Sequence, residues 1–175
     1  MDSDGYLSQL ADIFNGITVN TPSISAIIAI VLAGVLLLAS GFASASEIAF
    51  FSLTPSDRND IDEQNHPSDE KISALLGDSE RLLATILITN NFVNVTIIML
   101  CNFFFMNVFV FHSPLAEFLI LTVILTFLLL LFGEIMPKIY SAQKTLAFCR
   151  FSALGIYFLE KLFRPIATVL VRSTT

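Results

Sequence analysis

The stretch from Leu82 to Phe111 carries no charged side chain. A helix needs roughly 20 apolar residues to cross the hydrocarbon of a bilayer, and this stretch exceeds that. Two others do the same. One runs from about Ile24 to Leu53, with Glu47 as its only charge, and the other from about Leu115 to Tyr140, with Glu117 near its start and Glu134 near its end. In lipid every backbone N–H and C=O must be bonded within the protein, so a single run of this kind spans as a helix. Composition agrees: 55% of the residues are hydrophobic, 14% are charged and the mean hydropathy is +0.78. The expected fold class is an all-α membrane protein, with three transmembrane helices plus cytoplasmic juxtamembrane amphipathic helices in contact with the lipid bilayer.

Lys and Arg placement sets the orientation. Residues 1–53 hold none, the 54–81 loop holds Arg58, Lys71 and Arg81, and the remainder fall from Lys138 onward. Basic residues mark cytoplasmic loops. The N-terminus is therefore expected outside and the C-terminus in the cytoplasm. Three parts follow: an extracytoplasmic segment 1–23, a transmembrane domain 24–140 with the cytoplasmic 54–81 loop, and a juxtamembrane amphipathic segment 141–175. Asp2, Asp4 and Asp12, with no Lys or Arg beside them, do not form a cleavable signal. Thr54-Pro55 reads as a helix start, with Ile61, Ile72, Leu75 and Leu76 giving a short apolar face. His112-Ser113-Pro114 makes a tight link between the second and third runs. In the tail, Phe148, Phe151, Leu154, Phe158, Leu162 and Phe163 alternate with Lys144, Arg150, Lys161 and Arg164, the pattern of a helix lying in the interface. Pro165 is expected to kink or break it.

Several function classes drop out. The net charge of −6, with no basic stripe, argues against nucleic acid. Cys101 and Cys149 lie far apart in apolar surroundings and imply no disulfide. His66 and His112 are too few for a soft-metal site. No P-loop, Gly-rich dinucleotide fingerprint or Ser/His/Asp arrangement is present, so no enzyme is expected.

The polar residues inside the spans carry the rest. Glu134 is an ionisable group at membrane depth, which is costly and points to function. Pro137 lacks the N–H that would bond the Gly133 carbonyl in an α-helix, so that oxygen is expected to be free beside the carboxylate. Carbonyl and carboxylate together suit a hard cation; the alternative is a proline kink with Glu134 hydrated. Ser40, Ser44 and Glu47 share one helical face, with Ser46 off it. Asn90, Asn91 and Asn94 cluster within about a turn, either as ligands or as interhelical glue. All these groups lie toward the same, cytoplasmic, ends of their helices. One shared all-oxygen site for Mg²⁺ or Na⁺ is geometrically open to them.

Three motifs resemble one family. Phe42-Ala43-Ser44-Ala45-Ser46-Glu47-Ile48-Ala49-Phe50 is similar to the first-helix Ser-x-Ser-Glu motif of the CorC/CNNM family. Thr89-Asn90-Asn91-Phe92-Val93-Asn94 is similar to its second-helix asparagine motif, and Gly133-Glu134-Ile135-Met136-Pro137-Lys138 to its Gly-Glu-x-x-Pro-Lys motif. The resemblance covers nearly all of residues 24–175, the family's transmembrane domain, and the short acidic N-terminus resembles bacterial members, the gliding-motility branch among them. It implies a homodimeric magnesium transporter in the bacterial inner membrane. That transporter would export Mg²⁺ from an inward-facing cavity, coupled to Na⁺. The implied Mg²⁺ ligands are Ser44, Asn91 or Asn94, the Gly133 carbonyl and Glu134. Ser46, Glu47 and Asn90 would lie close, in Na⁺-binding or supporting roles, and Ser40 and Pro137, from their own placement, are expected to support the site as well. It also implies CBS and CorC domains C-terminal to this segment. The rival expectation is a non-transporting membrane scaffold for a gliding or secretion complex.

Overall fold

A computed structural model describes residues 18–111 and 113–174. Helix α1, Ile24–Phe51, starts at Ser23, whose Oγ accepts from Ala26 N at 3.2 Å. Two short helices follow, α2 (Pro55–Asp62) and α3 (Asp69–Leu76). Helix α4 spans Ser79–Val108. The third span is composite: α5 (Pro114–Leu128), a π-helical turn (Leu129–Ile135) and α6 (Met136–Gln143). Helix α7 follows at Thr145–Thr174. Among the described residues three helices are long and apolar enough to cross a membrane: Ile24–Phe51, Ser79–Val108 and Glu117–Gln143.

The start of α2 forms as the sequence predicts. Thr54 and Asp57 make a reciprocal capping box, with Asp57 N donating to Thr54 Oγ1 at 3.2 Å and Thr54 N donating to Asp57 Oδ2 at 2.9 Å. Ile61, Ile72 and Leu75 turn inward as expected, with Leu76 partly buried beside them. At the opposite end of the bundle, a two-stranded antiparallel ladder joins β1 (Thr18–Val19) to β2 (Phe109–Val110). There Asn107 Oδ1 accepts from Ser23 N at 3.3 Å, tying the entry of α1 to the end of α4. Residues 1–17, His112 and Thr175 lie outside the described residues, and with them most of the expected extracytoplasmic segment 1–23 and part of the hairpin turn.

Helix α1 is central: it packs along α4 and against the π turn, α6 and α7. Two apolar clusters fill the bundle. One joins Ala33 of α1, Val93, Ile97 and Cys101 of α4, and Leu125 of α5. The other, at the loop end, joins Ala49, Phe50 and Leu53 to Ile61, Ile72, Leu75, Leu82, Ile86 and the α7 residues Cys149, Ala153 and Ile156. Between these layers α1 and α4 carry their serines and asparagines.

Helix α7 differs from expectation at Pro165, which it passes through without a break. Proline removes one helical hydrogen bond and its ring crowds the carbonyl four residues back, and both Pro165 and Lys161 are exposed, so that carbonyl has room at the surface of the helix. Phe151, Leu154, Phe158, Leu162 and Val169 form an exposed apolar stripe opposite the buried Cys149, Ser152 and Ile156. A helix apolar on both faces fits an interface between protein and lipid.

Candidate functional site

Ser40 sits at the centre of the polar layer. Its Oγ lies 2.8 Å from Asn90 Oδ1 and 2.6 Å from Asn94 Oδ1, and it is fully buried. Ser44 Oγ, one turn along, lies 3.5 Å from Asn90 Oδ1. Asn90 and Asn94 are one turn apart on α4, so both reach the same face of α1. A hydroxyl carries one hydrogen. Ser40 can therefore donate to one amide and accept an N–H from the other, and the cluster gathers two hydroxyls and two amides in one layer.

The third span enters this layer by close contact of small residues. A Cβ placed on Gly133 would meet Ser40 Oγ at 3.2 Å. One placed on Gly41 would meet Pro137 Cγ at 2.9 Å and the Phe132 carbonyl oxygen at 3.3 Å. Small residues at such crossings let membrane helices approach to backbone contact.

The π turn changes which carbonyl the proline affects. Met136 N–H bonds Leu131 O, five residues back rather than four. In that register the missing N–H of Pro137 falls opposite Phe132 O, and in the α register opposite Gly133 O. The sequence argument named only the Gly133 oxygen, because it assumed an unbroken α-helix. Wide turns of this kind are frequent at functional sites.

The other candidates separate into those that join the cluster and those that face elsewhere. Asn91 is exposed and its Nδ2 donates to Leu87 O at 2.9 Å, so it turns away from Ser40. Ser46 is buried and donates to Phe42 O at 2.7 Å, back along its own helix. Glu47 is ion-paired with Lys138 at 3.0 Å. Glu134 is half-buried and makes no hydrogen bond or ion pair with a described residue. Among the described residues no three of His, Cys, Asp or Glu come together as a metal cluster. The cluster is thus neutral oxygens, with carboxylates adjacent to it in sequence.

Some contacts were not visible beforehand. Ser141 Oγ donates to Ala45 O at 2.6 Å, locking α6 to α1. At the loop end Arg150 grips Asp69 with both arms, Nε to Oδ1 at 2.9 Å and Nη2 to Oδ2 at 3.0 Å, while His66 N donates to Asp69 Oδ2 at 3.0 Å. Burial works to raise the Asp69 carboxyl, but the Arg150 guanidinium and the His66 N–H outweigh it and hold it below its ordinary value. The only sequence signals were an acid in a polar loop and a base within an apolar tail. Cys101 and Cys149 are free and buried, as expected.

The sequence matches the family described as cyclin M transmembrane N-terminal domain over residues 28–175. It is similar to UPF0053 protein sll1254 of Synechocystis sp., 26% identical over 140 residues that make up 80% of this chain and 39% of that protein. A UPF0053 protein of Haemophilus influenzae is 32% identical over 130 residues, 74% of this chain and 30% of the relative. The chain thus spans well under half the length of these relatives. The three ordered motifs, the three membrane-spanning helices and the match over residues 28–175 agree: this is a membrane protein that belongs to the CNNM family, matching its transmembrane domain.

Proposed function

We propose that the chain is the ion-conducting part of a magnesium transporter, exporting Mg²⁺ from an inward-facing, oxygen-lined site and coupled to Na⁺. The loop end of the bundle is cytoplasmic, in a bacterial inner membrane, and the protein works as a homodimer. The observation that supports this is the convergence of Asn90 and Asn94 on the buried Ser40 hydroxyl, with Ser44 and Gly133 beside it. With their oxygens turned inward, these side chains offer a set of neutral oxygen ligands of the kind a hard cation takes. Ser40, Ser44, Asn90 and Asn94 supply neutral ligands, and Glu134, beside Gly133, supplies the charge that a divalent ion needs. Asn91, Ser46 and Pro137 act from outside this group: Pro137 by shaping the third span, Asn91 and Ser46 by capping carbonyls of their own helices. Mg²⁺ dehydrates reluctantly, so several oxygens must close on it together.

Thermal stability of the purified protein in detergent tests this, titrated with Mg²⁺ against Ca²⁺ and Na⁺. A ligand that binds only the folded state adds about 2.7 kcal/mol at one hundred times its Kd. A Mg²⁺-specific rise that disappears in Glu134→Ala is the expected result, to be followed by flux into liposomes. A wild-type-like rise in the mutant rejects Glu134 as a ligand. No rise at any concentration favours the scaffold.

A further inference from the structure

Glu47 and Lys138 are the ionised pair next to the cluster. Glu47 follows Ser44 by one helical turn and Lys138 follows Glu134 by one turn, so the pair lies on the loop side of the oxygens. Lys138 Nζ is 3.0 Å from Glu47 Oε2, with the two side chains 33% and 27% exposed. The pair bridges α1 and α6, and α1 is also the helix that carries Ser40. Glu134 shares the third span with Lys138 but has no partner among the described residues. The two carboxylates near the site are therefore unlike: one is neutralised by an ammonium, the other is open.

Charge then decides what the site can hold. Glu47, Lys138 and Glu134 sum to −1, whereas the two carboxylates alone sum to −2, which a divalent cation matches. A pair this exposed is held weakly and can exchange. Lysine suits exchange better than arginine. Its ammonium is a point charge on a flexible stem and makes no planar two-armed grip. The contrast with the two-armed Arg150–Asp69 contact in the same molecule is direct.

We propose that Lys138 is a tethered competitor for the transported cation. Its ammonium holds Glu47, and a divalent ion arriving from the loop side gains that carboxylate only by displacing it. Lys138 thereby weakens cation binding enough for the ion to leave again, and Glu47 is a second cation position that opens on exchange. This rests on the cluster being a cation site.

The test is Mg²⁺ titration of thermal stability in the purified protein, with total ionic strength held constant. The variants are Lys138→Met, Lys138→Arg, Glu47→Gln and the double change Glu47→Gln/Lys138→Met. Removing the competitor lowers the half-saturating Mg²⁺ concentration about tenfold, within the usual range of coupling between charged sites. Lys138→Arg and Glu47→Gln each raise it, and the double change cancels the gain of Lys138→Met. An unchanged or higher half-saturation in Lys138→Met, with wild type responding, overturns the proposal. Should Lys138→Met not fold, no rise in either Lys138→Arg or Glu47→Gln overturns it equally. A wild type that does not respond to Mg²⁺ at all removes the cation site itself, a different failure.

Discussion

Two glycines of α1 make a matched test of how closely the spans approach. At Gly34 an added Cβ meets nothing within 4 Å, whereas at Gly41 it meets Pro137 Cγ at 2.9 Å and Phe132 O at 3.3 Å. Neither obstacle at Gly41 is the tip of a flexible side chain. One is a closed ring and the other is backbone. To restore ordinary contact at 3.4 Å or more, α1 and α6 must separate by at least 0.5 Å, the difference between 3.4 and 2.9 Å. Overpacking of this sort costs about 1–3 kcal/mol. At about 2–4 °C per kcal/mol for a chain of this size, Gly41→Ala should lower the melting temperature by about 2–12 °C. Gly34→Ala makes the same chemical change in the same helix without a clash. It should be stabilising by about 0.5–1 kcal/mol, because alanine loses less backbone entropy on forming a helix. Melting in detergent, followed by tryptophan-free methods such as static light scattering or far-ultraviolet circular dichroism, reads both; the chain has no Trp. If Gly41→Ala melts at or above Gly34→Ala, the close crossing of the first and third spans is wrong.

Further expectations follow from the loop end. Asp69 has a folded pKa below its unfolded value of 3.8, so its pairing contributes fully above about pH 4 and is lost as pH falls through the lower, folded value. Asp69→Asn should cost about 3 kcal/mol at pH 7, from breaking a buried pair, and should flatten the acid limb of a melting-temperature profile; an unchanged limb would show that another group sets it. Burial, with the nearby Asp69 charge, pushes the Cys149 thiol up to about 12. Maleimide at pH 8 should therefore leave Cys149 intact until the protein is denatured, as mass spectrometry of the labelled protein would show; fast labelling of the folded protein would mean that α7 detaches.

The spans were legible because length and hydropathy alone demand them, and the start of α2 because its capping residues are local. Asn90 and Asn94 could be paired by their one-turn spacing. That Asn91 turns outward could not: adjacent helical residues differ by about 100°, and only the packing of α4 on α1 decides which amides face inward. The π register was hidden because hydropathy averages across one extra residue. The Glu47–Lys138 and Asp69–Arg150 contacts join positions far apart in sequence, and single-sequence spacing carries no information about such pairs. Of the kink or break expected at Pro165 the break does not occur, because a proline rule weighs only local cost, whereas Ala167, two residues beyond, is fully buried and packing holds the helix there.

The wide turn begins within Leu128-Leu129-Leu130-Leu131, four identical side chains in succession. Its information is therefore phase and not chemistry. Deleting any one of these leucines leaves what the third span shows to lipid almost the same in kind. It also turns everything beyond, Gly133, Glu134 and Lys138 together, by about 100° relative to α5. A helical wheel drawn through the whole span at a single period assigns the right faces on one side of the turn and the wrong ones on the other. Scanning mutagenesis across residues 117–143 should accordingly be analysed as two wheels with a slip between them.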